Sequence, residues 1–165
     1  MIVGVFSDVH DNIEALRRVM DDFKTKRVAR AIFCGDFCSP IPSRVMGESG
    51  LAIDCVFGNG DGDRLTIYRF ATSEFQNLTI HGEHAELEID GRKVTVTHYP
   101  LYAQALARTG DYDAVFSGHT HEVHEQVFGH CIWVNPGEVF GWKGPPSYAY
   151  YDTGDNTASI VRLEG

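Results

Sequence analysis

Short apolar runs, each ended by polar residues, recur along much of the chain. They are rich in β-branched residues and too short for ordinary helices, so each is predicted to form a buried strand. The five runs are Ile2–Phe6, Ala31–Cys34, Ile53–Phe57, Val94–Thr97 and Ala114–Phe116. This pattern favours a sheet that is covered on both faces.

Helical spacing of apolar side chains follows the first run. It predicts an amphipathic helix over Asn12–Lys24, and Asp11 with Glu14 three residues later predicts a capping box at its start. Shorter helices are predicted at Ser43–Glu48 and Leu101–Arg108. Strands that alternate with helices in this way are typical of β-α-β units.

Three further pairs of apolar segments flank turn residues and predict antiparallel hairpins. The clearest turn is Asp90-Gly91, between Ala85–Ile89 and Lys93–Thr97. The other two pairs are Val123–Phe128 with Cys131–Val134, and Tyr148–Tyr151 with Ala158–Leu163. The expected fold is α/β, with two facing β-sheets in a sandwich flanked by helices, and one domain over residues 1–165.

A polar cluster follows each of the five buried strands directly. Together the clusters contain Asp8, His10, Asp36, Asn59, His98, His119 and His121. Because ligands gather outside the carboxyl ends of strands in α/β sheets, these side chains are expected to meet in one crevice. The D-x-H and H-x-H pairs are expected on extended backbone, and the glycines before Asp36, Asn59 and His119 are expected to permit sharp turns.

The chemistry of this set points to transition metals. Carboxylate, amide and imidazole ligands without a thiolate suit Mn, Fe, Co or Zn better than Ca or Mg, which prefer oxygen alone. Seven ligands are too many for one tetrahedral zinc and suit two metals that share a carboxylate. Two ions ~3.5–4 Å apart form the clamp used for in-line displacement at phosphorus.

The ordered motifs D-x-H, G-D, G-N, H and G-H-x-H resemble those of the calcineurin-like metallophosphoesterases. Their compact spacing and the Asn135-Pro136-Gly137 that follows resemble the small YfcE-like phosphodiesterases in that family. The resemblance covers residues 1 to about 152. It implies two mixed sheets, two divalent metals and a bridging hydroxide as nucleophile. Mn is the expected metal, with Fe, Zn, Co or Ni as alternatives.

The resemblance also implies a role for each ligand. The first metal would be held by Asp8, His10, Asp36 and His121. The second would be held by Asp36, Asn59, His98 and His119. Asp36 would bridge the metals and hold the hydroxide, with Asn59 and His98 near the phosphate.

Two departures from the family pattern affect function. The third motif of the family often has a histidine that protonates the leaving group, whereas Gly60 stands here in Gly58-Asn59-Gly60-Asp61. The fourth often reads His-Gly-His, whereas this chain has His98-Tyr99-Pro100. The metal ligands are therefore expected to be present and the general acid absent, unless His84, Tyr99 or Cys38 supplies the proton.

Two hypotheses of different classes follow from these residues. The first is a binuclear-metal phosphodiesterase or phosphatase. The second is a catalytically weak or inactive scaffold of the same fold, a role known for the retromer scaffold subunit, which resembles this family. Seven retained ligands favour the enzyme, and the missing acid at Gly60 favours the scaffold.

Charge and hydropathy restrict the kinds of partner that the chain is expected to bind. With 14 basic against 23 acidic residues, the formal net charge of −9 argues against general nucleic-acid or anionic-membrane binding. No apolar run approaches the ~20 residues of a membrane span, and the N-terminus does not resemble a signal peptide. The chain is expected to be cytoplasmic and to act on a small phosphoester. Homo-oligomer formation is left open.

Several other residues have two interpretations. Asp61 and Asp63 either orient the ligands of the second metal or are solvated loop charges. Tyr99, Phe140 and Trp142 either line a substrate groove or pack in the core.

The remaining cysteines and histidines are assigned structural or surface positions. Cys34, Cys55 and Cys131 lie in apolar runs and are expected to be buried thiols. His124 and His130 are expected on the surface of a hairpin. Whether His81 or His84 reaches the crevice is left open.

Overall fold

The computed structural model describes residues 1–163 and contains strands and helices in alternation. The strands are β1 (Ile2–Phe6), β2 (Arg30–Phe33), β3 (Ile53–Cys55), β4 (Leu78–Ile80), β5 (His84–Ile89), β6 (Arg92–Thr97), β7 (Ala114–Phe116), β8 (Val123–Phe128), β9 (Cys131–Pro136), β10 (Ser147–Asp152) and β11 (Thr157–Arg162). The helices are α1 (Ile13–Thr25), α2 (Ile41–Glu48), α3 (Arg64–Arg69) and α4 (Pro100–Ala107), and a π-helical turn, Phe70–Glu74, follows α3.

These strands form two mixed sheets. The first has the order β11-β10-β1-β2-β3-β4, and the second has the order β5-β6-β7-β9-β8. Strands β1 to β4 are parallel, as are β6, β7 and β9, while the outer hairpin partners are antiparallel. The predicted α/β sandwich of two mixed sheets is confirmed.

Apolar side chains fill three layers of this sandwich. Val5 and Ile32 of the first sheet share a buried cluster with Val96 and Phe116 of the second, which places this core between the sheets. Helices α1 and α2 cover the outer face of the first sheet, and α4 covers the second. Both sheets are therefore buried on each face in their parallel centre, as the continuous apolar runs indicated.

The start of α1 differs from the prediction. Asn12 is the N-cap, and its side-chain oxygen accepts a hydrogen bond from the Ala15 N–H over 3.1 Å. The predicted capping box from Asp11 to Glu14 is therefore wrong. Asp11 instead accepts a hydrogen bond from the Ser39 hydroxyl over 2.6 Å, which ties the two loops after β1 and β2 together.

The segment between β3 and β5 was not assigned from the sequence. It contains α3, the π-helical turn and β4, which adds a fourth parallel strand to the first sheet. Strand β3 ends at Cys55, two residues earlier than predicted. None of the helices within residues 1–163 is long and apolar enough to cross a membrane.

Candidate metal centre

The loops at the carboxyl ends of five parallel strands converge between the two sheets. Asp8 and His10 follow β1, Asp36 follows β2 and Asn59 follows β3. His98 follows β6, and His119 and His121 follow β7. The structure thus brings all seven predicted side chains to the same edge of the sandwich, as expected for ligand sites in such sheets.

The first set of four is compact. Each side chain contributes one possible ligand atom, and these atoms all lie within 4.8 Å of one another in Asp8, His10, Asp36 and His121. Nε2 of His10 is 3.3 Å from Oδ2 of Asp36, and Nε2 of His121 is 3.3 Å from Oδ1 of Asp8. Both carboxylates are buried. Buried charges of this kind need a cation or hydrogen bonds to offset their desolvation.

The second set is joined through Asp36. Nε2 of His98 lies 3.4 Å from Oδ2 of Asp36 and 3.1 Å from Oδ1 of Asn59. Nδ1 of His119 lies 2.7 Å from the same Asn59 oxygen. Oδ2 of Asp36 therefore faces imidazoles from both sets, the arrangement required of a shared ligand.

The electrostatics of the centre follow from this packing. The carboxylates of Asp36 and then Asp8 raise the pKa of His10 to about 10. Burial alone would lower the pKa of His98, but Asp36 and Asp8 raise it. Burial would likewise raise the pKa of Asp36, but His10 and His98 hold it well below its ordinary value. Without a metal, Asp36 is favoured in its charged form by the two imidazoles beside it, and the pKa of each of those imidazoles is raised in turn.

The geometry fits a bound cation in two respects. Ligands ~2.1 Å from one ion, at angles of about 90–110°, lie ~3.0–3.4 Å apart. The 3.3 Å separations of His10 from Asp36 and of His121 from Asp8 fall in this range. In addition, Nε2 of His10 is buried and makes no hydrogen bond of good geometry within residues 1–163, although Oδ2 of Asp36 lies 3.3 Å away. A buried nitrogen without a hydrogen bond costs free energy, and a metal ion would satisfy it.

The backbone at the site is not extended, contrary to expectation. Asp8 and His10 have φ of 53° and 43°, and His119 and His121 have φ of 74° and 63°. Asp36 has a φ of 66°. These values lie in the left-handed region that residues with a side chain seldom adopt, at a cost of about 1–3 kcal/mol each. The i, i+2 argument for the two pairs was therefore wrong, although the side chains do converge.

The predicted role of the three glycines holds only for Gly35, which has a φ of 101°. A Cβ on Gly58 would lie 2.1 Å from Oδ1 of Asp36. A Cβ on Gly118 would lie 1.9 Å from Oγ of Ser7 and 2.5 Å from Oδ2 of Asp8. Gly58 and Gly118 are needed for the close approach of the loops rather than for a turn.

A further carboxylate, Glu138, was missed by sequence reasoning. It is buried, and its Oε2 lies 2.6 Å from Nδ1 of His121. It follows β9, which pairs in parallel with β7, so the rule of strand carboxyl ends would have found it. The sequence predicted only the antiparallel pairing of β9 with β8. Without the parallel pairing with β7, there was no reason to expect Glu138 at the same edge as the other ligands.

The outward-facing ring nitrogens of His98 and His10 also have partners. Nδ1 of His98 donates a hydrogen bond of 2.8 Å to the Cys34 carbonyl oxygen. Nδ1 of His10 lies 3.0 Å from Sγ of Cys38. Such outer contacts fix which nitrogen is free to bind a metal. Cys38 thus contacts a candidate ligand, and Cys34, Cys55 and Cys131 are buried as predicted.

The two aspartates after Asn59 have different roles. Asp61 is buried and accepts hydrogen bonds from the Gly58 N–H over 2.7 Å and the Cys38 N–H over 3.0 Å. It therefore holds the loops after β2 and β3 together. Asp63 is exposed and is the N-cap of α3, accepting from the Thr66 N–H.

Histidines outside the set are occupied elsewhere. His81 pairs with buried Asp54 at 2.8 Å, and His84 pairs with the Thr95 hydroxyl at 2.7 Å. His130 is exposed, as expected. His124 is only half-exposed, because its ring packs 4.3 Å from that of Trp133, so its predicted surface position is confirmed only in part.

Aromatic rings flank the centre on two sides. Tyr99 lies 5.3 Å from His98 and 5.5 Å from His119, measured between ring centroids. Phe140 lies 5.1 Å from His10, and Trp142 lies 5.8 Å from His121. Trp142 is 70% exposed, which excludes core packing as its main role.

Comparison with known proteins is consistent with this site. Residues 1–156 match the family model of the calcineurin-like phosphoesterase superfamily domain. The chain is 31% identical to phosphodiesterase MJ0936 of Methanocaldococcus jannaschii over 168 aligned residues, which cover 99% of this chain and 100% of that protein.

Solved structures show the same fold. An archaeal phosphodiesterase matches with a TM-score of 0.91 and 28% identity, covering 99% of this chain and 100% of that one. The YfcE phosphoesterase of E. coli matches with a TM-score of 0.69 and 19% identity, covering 99% and 100%. Vacuolar protein sorting 29 of Cryptosporidium parvum matches with a TM-score of 0.70 and 18% identity, covering 98% and 96%. The last two show the fold alone.

Proposed function

The chain belongs to the calcineurin-like phosphoesterase superfamily, and from that premise we propose that it is a metal-dependent phosphodiesterase with a two-metal centre. The observation that carries the proposal is the position of Asp36. Its Oδ2 lies 3.3 Å from Nε2 of His10 and 3.4 Å from Nε2 of His98. One carboxylate oxygen is therefore within reach of ligands from both sets, as two neighbouring ions would require.

The proposed ligands divide between the two metals as the family resemblance implies. Asp8, His10, Asp36 and His121 would hold one metal, and Asp36, Asn59, His98 and His119 would hold the other. Two divalent transition metals, Mn²⁺ foremost and Fe, Zn, Co or Ni otherwise, would supply positive charge for the phosphate oxygens and lower the pKa of a water so that it attacks in line as hydroxide.

The chain's own residues prepare the ligands for this role. Cys34 accepts from Nδ1 of His98 and Glu138 accepts from Nδ1 of His121, so each imidazole presents Nε2 to the centre. The buried Asp36 keeps its charge, because its pKa lies well below the ordinary value. Asn59 and His98 would contact the phosphate beside it.

The proposed substrate is a small, soluble phosphodiester in the cytoplasm. The net charge of −9 disfavours a long polyanion such as nucleic acid and disfavours anionic membranes. The two ions would add four positive charges where Asp8 and Asp36 are buried, so attraction for a phosphate is confined to the centre.

The test is hydrolysis of bis(4-nitrophenyl) phosphate by protein loaded with Mn²⁺, compared with protein stripped by chelator and verified metal-free by elemental analysis. We expect turnover that is lost on stripping and restored by Mn²⁺. Full activity in the stripped protein would refute metal dependence. A metal-loaded protein with no turnover on diesters or monoesters would replace the enzyme with the scaffold hypothesis.

A further inference from the structure

A groove of about 390 Å³ opens beside the candidate metal centre, against the first turns of α4. Tyr99 lines it and is also the residue whose ring contacts His98 and His119 at 5.3 and 5.5 Å. Tyr102 lines it as well, edge-on to Tyr99 with 5.8 Å between ring centroids. Tyr99 therefore links the groove to the candidate metal centre, so a group attached to a bound phosphate could extend into the groove.

The lining is apolar and aromatic except at Glu83, His84 and Thr97. Ala105 and Leu106 of α4 contribute aliphatic surface. Glu83 is paired with Arg64 at 2.8 Å, and His84 is paired with the Thr95 hydroxyl at 2.7 Å. Glu83 and His84 thus already have protein partners.

This composition selects the kind of group that fits. The lining residues include no lysine or arginine to bind a second phosphate, and the overall charge of −9 disfavours one, whereas two tyrosine rings favour a planar partner. A volume of about 390 Å³ lies in the range of pockets that hold small organic ligands.

Resting on the proposed function, we propose that this groove is the subsite for one organic arm of the diester, and that the arm is an uncharged planar aromatic group such as a phenyl ring or a nucleobase. Tyr99 and Tyr102 determine this specificity: because the two rings are nearly perpendicular, a planar arm would stack on one and meet the other edge-on. Tyr99 connects the subsite to the centre through its contacts with His98 and His119.

The first experiment measures binding without turnover. Phenylphosphonate and methylphosphonate share a head group and differ only in the arm, and neither contains an ester bond to hydrolyse. Titration calorimetry on Mn²⁺-loaded protein is expected to show about tenfold or more tighter binding of phenylphosphonate, as burial of a phenyl ring implies. Equal affinity for the two probes would overturn the proposal.

The second experiment compares a variant whose groove is filled by a new side chain with a variant that carries the same side chain outside the groove. Ala105 is exposed, so Ala105→Trp places a large ring in the groove without removing packing. Leu101→Trp puts the same side chain on the same helix, at a residue that is 75% exposed and outside the lining. The phenyl preference should disappear in Ala105→Trp and persist in Leu101→Trp. A preference that survives in both would place the ring elsewhere, such as against Phe140 and Trp142.

Two further measurements keep the outcome interpretable. If Ala105→Trp does not fold, Tyr102→Ser at a residue 58% exposed should still reduce the phenyl preference severalfold. With phenyl 4-nitrophenyl phosphate and methyl 4-nitrophenyl phosphate, which share a leaving group, the phenyl ester should have the higher kcat/KM. Equal kcat/KM values would reject the subsite and leave the proposed function standing, whereas no turnover of either ester would reject the proposed function itself.

Discussion

The backbone N–H of Gly60 donates a hydrogen bond of 2.7 Å to Oδ1 of Asp36, which leaves Oδ2 of the same carboxylate facing His10 and His98. Residue 60 therefore orients the shared ligand through its backbone. Having no side chain, it offers no proton to a leaving group. The φ of Gly60 is not in the left-handed region, so the backbone itself admits a side chain, although a Cβ would lie 3.1 Å from Cγ of Asp36.

Rates should therefore depend steeply on the leaving group. General acid catalysis is worth about 10²–10⁴-fold and matters most for basic leaving groups, so aryl esters of acidic phenols should react well and alkyl esters poorly. The measurement is kcat/KM for a series of aryl methyl phosphates with phenols of increasing pKa. Gly60→His should flatten the dependence.

Gly60→Ala is the matched control, because it adds the Cβ near Asp36 without a proton donor. It should lower the rates uniformly and leave the slope unchanged. A shallow slope in the unmodified protein would show that another donor exists. Tyr99, beside His98, is then the residue to replace, because Cys38 and His84 are engaged with His10 and Thr95.

Glu138→Gln should weaken metal binding by about 10–100-fold, the range found when an outer partner of a ligand histidine is lost. The carboxylate holds Nδ1 of His121 at 2.6 Å and makes the ring a better ligand, and an amide does so less strongly. Equilibrium titration with Mn²⁺ measures the change. Glu122→Gln is the control, since Glu122 is an exposed carboxylate paired with Lys143 at 3.1 Å. Equal losses in both variants would show that Glu138 has no specific role.

Metal affinity should increase with pH. In the metal-free protein the pKa of His10 is raised to about 10, so near neutral pH a metal must displace a proton from its imidazole. One displaced proton corresponds to about tenfold in affinity per pH unit. Titrations at pH 6.5, 7.5 and 8.5 test this, and His130→Gln, at an exposed histidine away from the centre, should show the same slope. An affinity that does not change over this range would contradict the assignment of His10.

Gly118→Ala should destabilise the protein by about 1–3 kcal/mol or more, because its Cβ would lie 1.9 Å from Oγ of Ser7 and 2.5 Å from Oδ2 of Asp8. Urea denaturation of the metal-free protein measures the free energy of unfolding. Gly62→Ala is the control, since its Cβ would meet only the Cys38 carbonyl oxygen, at 3.6 Å. Similar stability of the two variants would mean that the loops separate more easily than their packing indicates.

The sequence was sufficient to predict the sandwich and to place seven polar residues at one edge of it. Both predictions need only the short apolar strands and the rule that the carboxyl ends of parallel strands lie at the same edge. It was insufficient where long-range pairing decides the outcome. Glu138 became visible only through the parallel pairing of β9 with β7. The left-handed backbone of Asp8 and His119 is set by hydrogen bonds between loops, including that from the His119 N–H to the Asp8 carboxylate, which local patterns do not report.

The segment between β3 and β5 illustrates the same limit. Helix α3 is only six residues long and β4 only three, so neither gives a periodic signal. The groove beside Tyr99 depends on how α4 packs against the second sheet, and no motif encodes that packing directly.

The central claim is that Asp36 is shared by two metals, and the most direct test is the number of Mn²⁺ ions bound per chain after equilibrium dialysis. We expect two in the unmodified protein and fewer than one in Asp36→Ala. Asp36→Asn keeps an acceptor for the Gly60 N–H, so it tests the same loss of charge with less risk of misfolding. Asp63→Asn, at the exposed N-cap of α3, is the control and should retain two ions. Two tightly bound ions in Asp36→Ala, or a single ion in the unmodified protein, would contradict the account.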